Sequence, residues 1–164
     1  MFNKICILIP SLNPDEKLMQ TIQGLKDIGF KNFVIVDDGS DTAHQKNFPV
    51  TDKENNFIVL RHSYNKGKGA AIKTAFKFIL KYSDTIEGVI TVDGDGQHDP
   101  RFIEKMTAEI ENGNNIVIGS RFVDEKKPKS LRMLGSNLIQ LAIKITTGKT
   151  LKDPTSGMRM FDKK

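Results

Sequence analysis

The chain has 164 residues, 38% hydrophobic and 27% charged with only 6 prolines, a composition that supports one buried core and excludes intrinsic disorder. No apolar run approaches the roughly 20 residues that span a bilayer, a lone cysteine (Cys6) excludes an intrachain disulfide, and no signal-peptide pattern precedes the first apolar run; a cytoplasmic chain is expected. The net charge of +5 is uneven: residues 1–125 hold 15 Lys/Arg against 18 Asp/Glu, and residues 126–164 hold ten against two. A basic terminal segment is either a solvated face or a surface for an anionic partner such as a phosphate or a membrane.

Short apolar runs alternate with helical periods along the chain. Lys4–Ile9, Phe33–Val36, Phe57–Leu60, Gly88–Val92 and Asn115–Ile118 have the length and continuity of buried parallel strands. Between them, Leu18, Ile22, Leu25 and Ile28 share one helix face. Ile72, Ala75, Phe76, Ile79 and Leu80 share a second, and Phe102, Ile103, Met106 and Ile110 a third. Pro100 suits a first helical turn, with Asp99 before it as N-cap. Residues 41–56 are polar and irregular, a loop with a short turn, and residues 123–130 are a charged loop. Leu131–Thr147 has the spacing of a helix with a wide apolar surface, buried or interfacial. The alternation predicts an α/β domain with an open, mainly parallel sheet and right-handed crossovers.

Ligands of such sheets bind beyond the carboxyl ends of the strands, and every predicted strand here is followed by chemically useful residues. These are Pro10-Ser11-Leu12-Asn13, Asp37-Asp38-Gly39-Ser40, His62 to Gly69, Asp93-Gly94-Asp95-Gly96-Gln97 and Gly119-Ser120-Arg121. Asp93 and Asp95, split by a glycine, can converge on one hard cation, Mg²⁺ or Mn²⁺, with Gln97 as a neutral oxygen; the alternative is an Asp-Gly turn. Asp37 and Asp38 need donors, from a base N–H, a ribose hydroxyl or a tight turn, and Gly39 permits close backbone approach. Lys66 and Lys68 precede a helix N-terminus, a setting that favours anions, although lysines in a turn can also be merely solvated. The G-x-x-x-x-G-K-[ST] spacing of a phosphate-binding NTPase loop is absent.

Arginine forks suit phosphate oxygens. Arg121 stands at a strand edge, Arg132 begins a helix with Ser136 one turn later, and Arg159 follows a turn-rich stretch where it is a site residue or a surface arginine. His62 and His98 lack a second ligand at metal spacing and are expected to be loop donors; His44 is expected to be exposed.

Taken in order, these motifs make the chain resemble inverting family 2 glycosyltransferases of the GT-A nucleotide-diphospho-sugar transferase fold. The likeness is closest to polyprenyl-phosphate (dolichol-phosphate-type) mannosyl- and glucosyltransferases. It is carried by Ile9-Pro10-Ser11-Leu12-Asn13, Val36-Asp37-Asp38-Gly39-Ser40, Asn65-Lys66-Gly67-Lys68-Gly69-Ala70-Ala71, Asp93-Gly94-Asp95-Gly96-Gln97-His98, Gly119-Ser120-Arg121-Phe122 and Thr155-Ser156-Gly157-Met158-Arg159. The resemblance implies a nucleotide-sugar set of Pro10, Leu12, Asn13, Val36, Asp38, Gly39, Lys68, Asp93, Gly94, Asp95 and Arg121. It implies Asp95 and Gln97 as metal ligands, and Arg132 and Ser136 at the acceptor phosphate. Pro14 departs from the family, which often has Glu there. Relatives continue further, so a truncated single catalytic domain is expected, with residues 1–125 holding the nucleotide sugar and residues 126–164 forming an incomplete acceptor side.

The expected reaction is metal-dependent displacement at an anomeric carbon with inversion, from a nucleotide-diphosphate sugar to a polyprenyl phosphate. The chain would lie peripherally on the cytoplasmic face of a membrane and serve cell-envelope biosynthesis. A lipid phosphate is already ionised, so no strong general base is needed, and Asp95, Arg121 and Arg132 would carry the catalysis. A saccharide hydroxyl acceptor would need a carboxylate base, for which Asp153 is the candidate. The Q-x-x-R-W motif of processive synthases is absent, as are the glycine-rich first loops of nucleotidyltransferases and dehydrogenases. A truncated, non-catalytic sugar-nucleotide-binding module is the alternative outside enzymes. Nucleic acid is not an expected partner.

Overall fold

The computed structural model describes residues 2–96, 100–119, 140, 144–145, 148 and 156–162. Six strands, β1 (Ile5–Ser11), β2 (Asn32–Asp37), β3 (Phe57–Arg61), β4 (Gly88–Thr91), β5 (Ile116–Ile118) and β6 (Arg159–Asp162), form one sheet in the order β3-β2-β1-β4-β6-β5. The first four pair in parallel, whereas β6 lies antiparallel between β4 and β5. The helices are α1 (Lys17–Asp27), α2 (Lys68–Tyr82) and α3 (Pro100–Glu111).

Both faces of the central strands are covered, which is why they read as unbroken apolar runs rather than alternating ones. Ile5, Ile7, Ile9, Phe33, Ile35 and Ile90 pack with Leu18, Ile22 and Leu25 of α1 and Ile103 and Met106 of α3. Cys6, Leu8, Val34, Val36 and Val89 face the other way, against Ala71, Ala75 and Ile79 of α2. Small alanines at two of these three helix positions let α2 lie close to the sheet.

The helix faces differ in places from the predicted ones. In α2 the buried stripe is Ala71, Ala75 and Ile79, so Leu80 points outward at 59% exposure. In α3, Ile103 and Met106 are buried and Phe102 is 47% exposed. The fifth predicted strand is not a buried parallel one. It pairs antiparallel with β6, a strand the sequence pattern does not show, and its Ile116 is 60% exposed at the sheet edge. The helix expected over Leu131–Thr147, the Asp99 cap and the loop 123–130 lie largely or wholly outside the described residues. Among the described residues, no helix is long and apolar enough to cross a membrane.

Strand order carries a consequence for ligands. The chain leaves β1 through α1 towards β2 on one side, and reaches β4 through α2 on the other. A crevice therefore opens between the carboxyl ends of β1 and β4, the switch point where open α/β sheets take ligands.

Candidate active site

At that switch point lies a cleft of about 500 Å³, within the usual size of a small-molecule site. Its walls come from four strand ends: Pro10 to Asn13 at the end of β1, Asp38 after β2, Asn65, Gly67 and Lys68 after β3, and Asp93 to Asp95 after β4. Pro14, Asp15 and Lys17 close it at the start of α1.

The β1 and β2 ends are stitched together by side chains. The Asn13 N–H donates to Ser40 Oγ at 2.8 Å, and its own amide oxygen accepts from the Asp41 N–H at 3.0 Å. The Asp38 N–H donates to the Ser11 carbonyl at 2.9 Å. Asn13 adopts a left-handed φ of +49°, a conformation that asparagine tolerates better than other non-glycine residues.

Asp37 and Asp38 obtain most of their donors from inside the protein. Asp37 is fully buried; its Oδ1 accepts the Ser40 N–H at 2.8 Å, and Arg61 Nε lies 2.7 Å from Oδ2 as an ion-pair contact without hydrogen-bond alignment. Asp38 Oδ1 accepts from His62 Nδ1 at 2.6 Å and from the Lys66 N–H at 3.0 Å. Burial pushes the Asp38 carboxyl up, but the His62 bond and the N–H groups of Lys66 and Gly67 outweigh it, so its pKa lies below the ordinary carboxylate value. It is therefore an anion at neutral pH. Gly39, with φ at +79°, sits where a Cβ would overlap the Tyr64–Asn65 backbone. Glycine is required there for a close approach of two loops.

On the opposite wall, Lys68 Nζ lies 2.5 Å from Asp93 Oδ1. Lys68 opens α2, whose N-terminal N–H groups add a favourable field for an anion in the same cleft. Asp93 is also wedged from behind. A Cβ at Gly157 would overlap its carboxylate, and the three nearest atoms all belong to Asp93. Gly157 is held by Thr91, whose hydroxyl donates to the Gly157 carbonyl at 2.8 Å and accepts the Arg159 N–H at 3.2 Å. Asp95, two residues beyond Asp93, is exposed in the cleft.

Two carboxylates flanking Gly94 make a hard-oxygen donor set that fits a divalent cation. Mg²⁺ in particular is commonly held by one or two carboxylates plus substrate phosphates and water. No group of three or more His, Cys, Asp or Glu assembles among the described residues.

Of the residues singled out from sequence, Pro10, Leu12, Asn13, Asp38, Lys68, Asp93, Gly94 and Asp95 share this cleft. Val36 does not: strand alternation turns it into the core against α2, fully buried. Gln97, His98, Arg121, Arg132, Ser136 and Asp153 lie outside the described residues. His62 is a donor in the loop after β3, as expected, but a buried one, 7% exposed, with Asp38 as its partner. His44 bonds Asp41 at the surface. Arg159 begins β6, where its Nε donates to the Ser156 carbonyl at 3.2 Å. Pro14 stood out in the sequence only as a departure from the family, and Asp15, Lys17 and Thr91 did not stand out as site residues. Thr91 had a faint signal, as a polar residue ending a buried strand just before an acidic motif.

The sequence profile described as Glycosyl transferase family 2 matches residues 6–164. An uncharacterized protein of Methanocaldococcus jannaschii is 34% identical over 97% of this chain and 65% of its own length. A UDP-N-acetylglucosamine–dolichyl-phosphate N-acetylglucosaminyltransferase of Methanococcus voltae is 30% identical over 97% of this chain and 69% of its own. A dolichol-phosphate mannosyltransferase of Pyrococcus furiosus is 28% identical over 94% and 45%. The chain thus spans roughly half to two thirds of these curated relatives. Among solved structures, glucosyl-3-phosphoglycerate synthase of Mycobacterium tuberculosis, in complex with Mn²⁺, UDP and phosphoglyceric acid, has a TM-score of 0.67. It aligns with 98% of this chain and 56% of its own, at 15% identity, and so speaks for the fold alone.

Proposed function

Because the chain belongs to glycosyl transferase family 2, and is a glycosyltransferase of GT-A fold, we propose that it transfers a hexosyl group from a nucleotide-diphosphate sugar to a polyprenyl phosphate, with inversion and with a divalent cation. The observation that carries the donor half is the pairing of Asp38 on one wall of the switch-point cleft with Asp93-Gly94-Asp95 and Lys68 on the other. A base or ribose offers N–H and O–H donors to the ionised Asp38, and a diphosphate is drawn to Lys68 and the α2 N-terminus. Asp93 and Gly94, which line the cleft, are the proposed contacts for ribose and diphosphate. Asp95, with Gln97, is the proposed metal-ligand pair, and Mg²⁺ or Mn²⁺ bound there would offset charge on the leaving diphosphate.

The acceptor half rests on the names of relatives that act on dolichyl phosphate and on the basic stretch 126–164. Arg132 and Ser136 are proposed to hold the acceptor phosphate, and Arg121 to bridge donor and acceptor, offsetting repulsion between two anions. A phosphate acceptor attacks without losing a proton and so needs no general base. Peripheral attachment to a membrane surface follows from a lipid acceptor met by a basic segment.

The test is transfer of labelled sugar from UDP- and GDP-sugars to polyprenyl phosphate, with and without Mn²⁺. Asp95→Ala is expected to abolish Mn²⁺-dependent transfer; unchanged turnover would remove Asp95 from the metal site.

A further inference from the structure

We infer that His62 is a positioning residue of the donor site, a rigid strut that fixes the Asp38 carboxylate and ties it to α2 through Thr74. This rests on the reading of Asp38 as the donor-nucleoside contact.

His62 follows β3 directly, and its backbone N–H extends the ladder by donating to the Asp37 carbonyl at 2.8 Å. Its ring is buried and does not line the cleft. Both ring nitrogens are engaged: Nδ1 lies 2.6 Å from Asp38 Oδ1 and Nε2 lies 2.9 Å from Thr74 Oγ1. An ionised carboxylate only accepts, so Nδ1 carries the proton and donates; in the neutral ring Nε2 then accepts from the Thr74 hydroxyl. One planar side chain thereby connects three elements: the end of β2, the end of β3 and the middle of α2.

The geometry of the link matters because α2 carries Lys68 at its first turn, on the far wall of the same cleft. The distance from Asp38 to Lys68 is the distance from nucleoside to diphosphate in the proposed reading. A short, charge-assisted bond held in a buried ring fixes one end of that span, since such bonds are both stronger and more directional than neutral ones. The Lys66 N–H on the same Oδ1 adds a second restraint. Together they direct Oδ1 inward, and the carboxylate meets the ligand in one orientation only.

The experiment measures Kd for the nucleoside diphosphate that the wild-type chain binds, chosen by screening UDP and GDP with Mn²⁺, together with donor KM and kcat. His62→Ala is expected to weaken nucleotide binding about tenfold or more, the value of a lost hydrogen bond to a charged group. The loss should fall on KM, with kcat at saturating donor within about twofold of wild type. His62→Asn places an amide N–H near the Nδ1 position and is expected to restore affinity to within about threefold, since it keeps the charge-assisted bond. Thr74→Val removes the second anchor at nearly constant volume and is expected to cost about threefold. Asp38→Ala separates the two layers of the argument. If it leaves binding unchanged, the reading of Asp38 fails and the inference with it. If it abolishes binding while His62→Ala binds as wild type, the reading stands and the strut is refuted. Should His62→Ala not fold, Thr74→Val decides, and unaltered affinity there overturns the inference.

Discussion

Gly157→Ala is a one-methyl change whose consequences the structure lets one separate. Gly157 has no left-handed φ, so the backbone itself accepts alanine. Its new Cβ would overlap the Asp93 carboxylate, and the Thr91 hydroxyl pins the Gly157 carbonyl, so the backbone cannot simply step back. The carboxylate must rotate away instead. An off-rotamer aspartate costs about 0.5–1.5 kcal/mol. Losing the partly exposed contact to Lys68 adds about 0.2–1 kcal/mol, and the reduced freedom of the unfolded chain returns about 0.4–1 kcal/mol. The net is about 1 kcal/mol, a Tm drop of about 2–4 °C for a domain of this size. Function should suffer far more, because a carboxylate misplaced by about 1 Å in a site that must hold ribose and diphosphate can cost on the order of 100-fold. Steady-state transfer kinetics beside thermal melts measure both. Gly113→Ala is the control: its φ of +92° faces open space, so it carries a stability cost of about 1–2 kcal/mol with unchanged kinetics. A Gly157→Ala protein that folds and keeps at least half the wild-type kcat/KM would refute the wedge at Asp93.

Gly39→Ala combines a left-handed φ of +79° with overlap against the Tyr64–Asn65 backbone. It is expected to lose more than about 3 kcal/mol in urea titration, beyond the cost of the dihedral alone; a loss near 1 kcal/mol would contradict the close approach. Cys6 is 2% exposed, and burial pushes its thiol up to about 12. The native protein should therefore resist a disulfide reagent at pH 8 and react once unfolded. With the folded pKa raised from 9.0, the stability contributed by this thiol is full below pH 9.0 and is lost as pH rises towards about 12. Asp38 has the opposite sign. Its folded pKa lies below 3.8, so its contribution is full above that value and is lost as pH falls through the folded pKa. Asp38→Asn should flatten the acid limb of a stability–pH curve, and an unchanged limb would argue against the His62 and Lys66 bonds.

The central sheet was legible because strands buried on both faces must be apolar throughout. Gly88–Val92 and Phe57–Leu60 were placed within a residue of β4 and β3. The antiparallel β6 escaped notice because it is four residues long, begins and ends on charged side chains, and owes its place to pairing with distant β4 and β5. Leu80 and Phe102 fit a helical period yet sit at its outward margin, since periodicity alone does not fix where a stripe stops. In the cleft, the glycine-flanked aspartates stood out from their local context. The partner of Asp38 did not: His62 is 24 positions away, and only the parallel pairing of β2 and β3 brings the two together. Val36 misled because it stands inside β2, where its side chain is buried in the core against α2, whereas Asp38 lies just past the strand end and reaches the cleft.

The most direct measurement is structural identification of the product formed from an α-linked nucleotide sugar, Mn²⁺ and a short polyprenyl phosphate. The expected product is a polyprenyl phosphosugar with inverted, β anomeric linkage, formed only when the metal is present. A retained α linkage, or sugar found on a saccharide hydroxyl with none on the lipid phosphate, would contradict it.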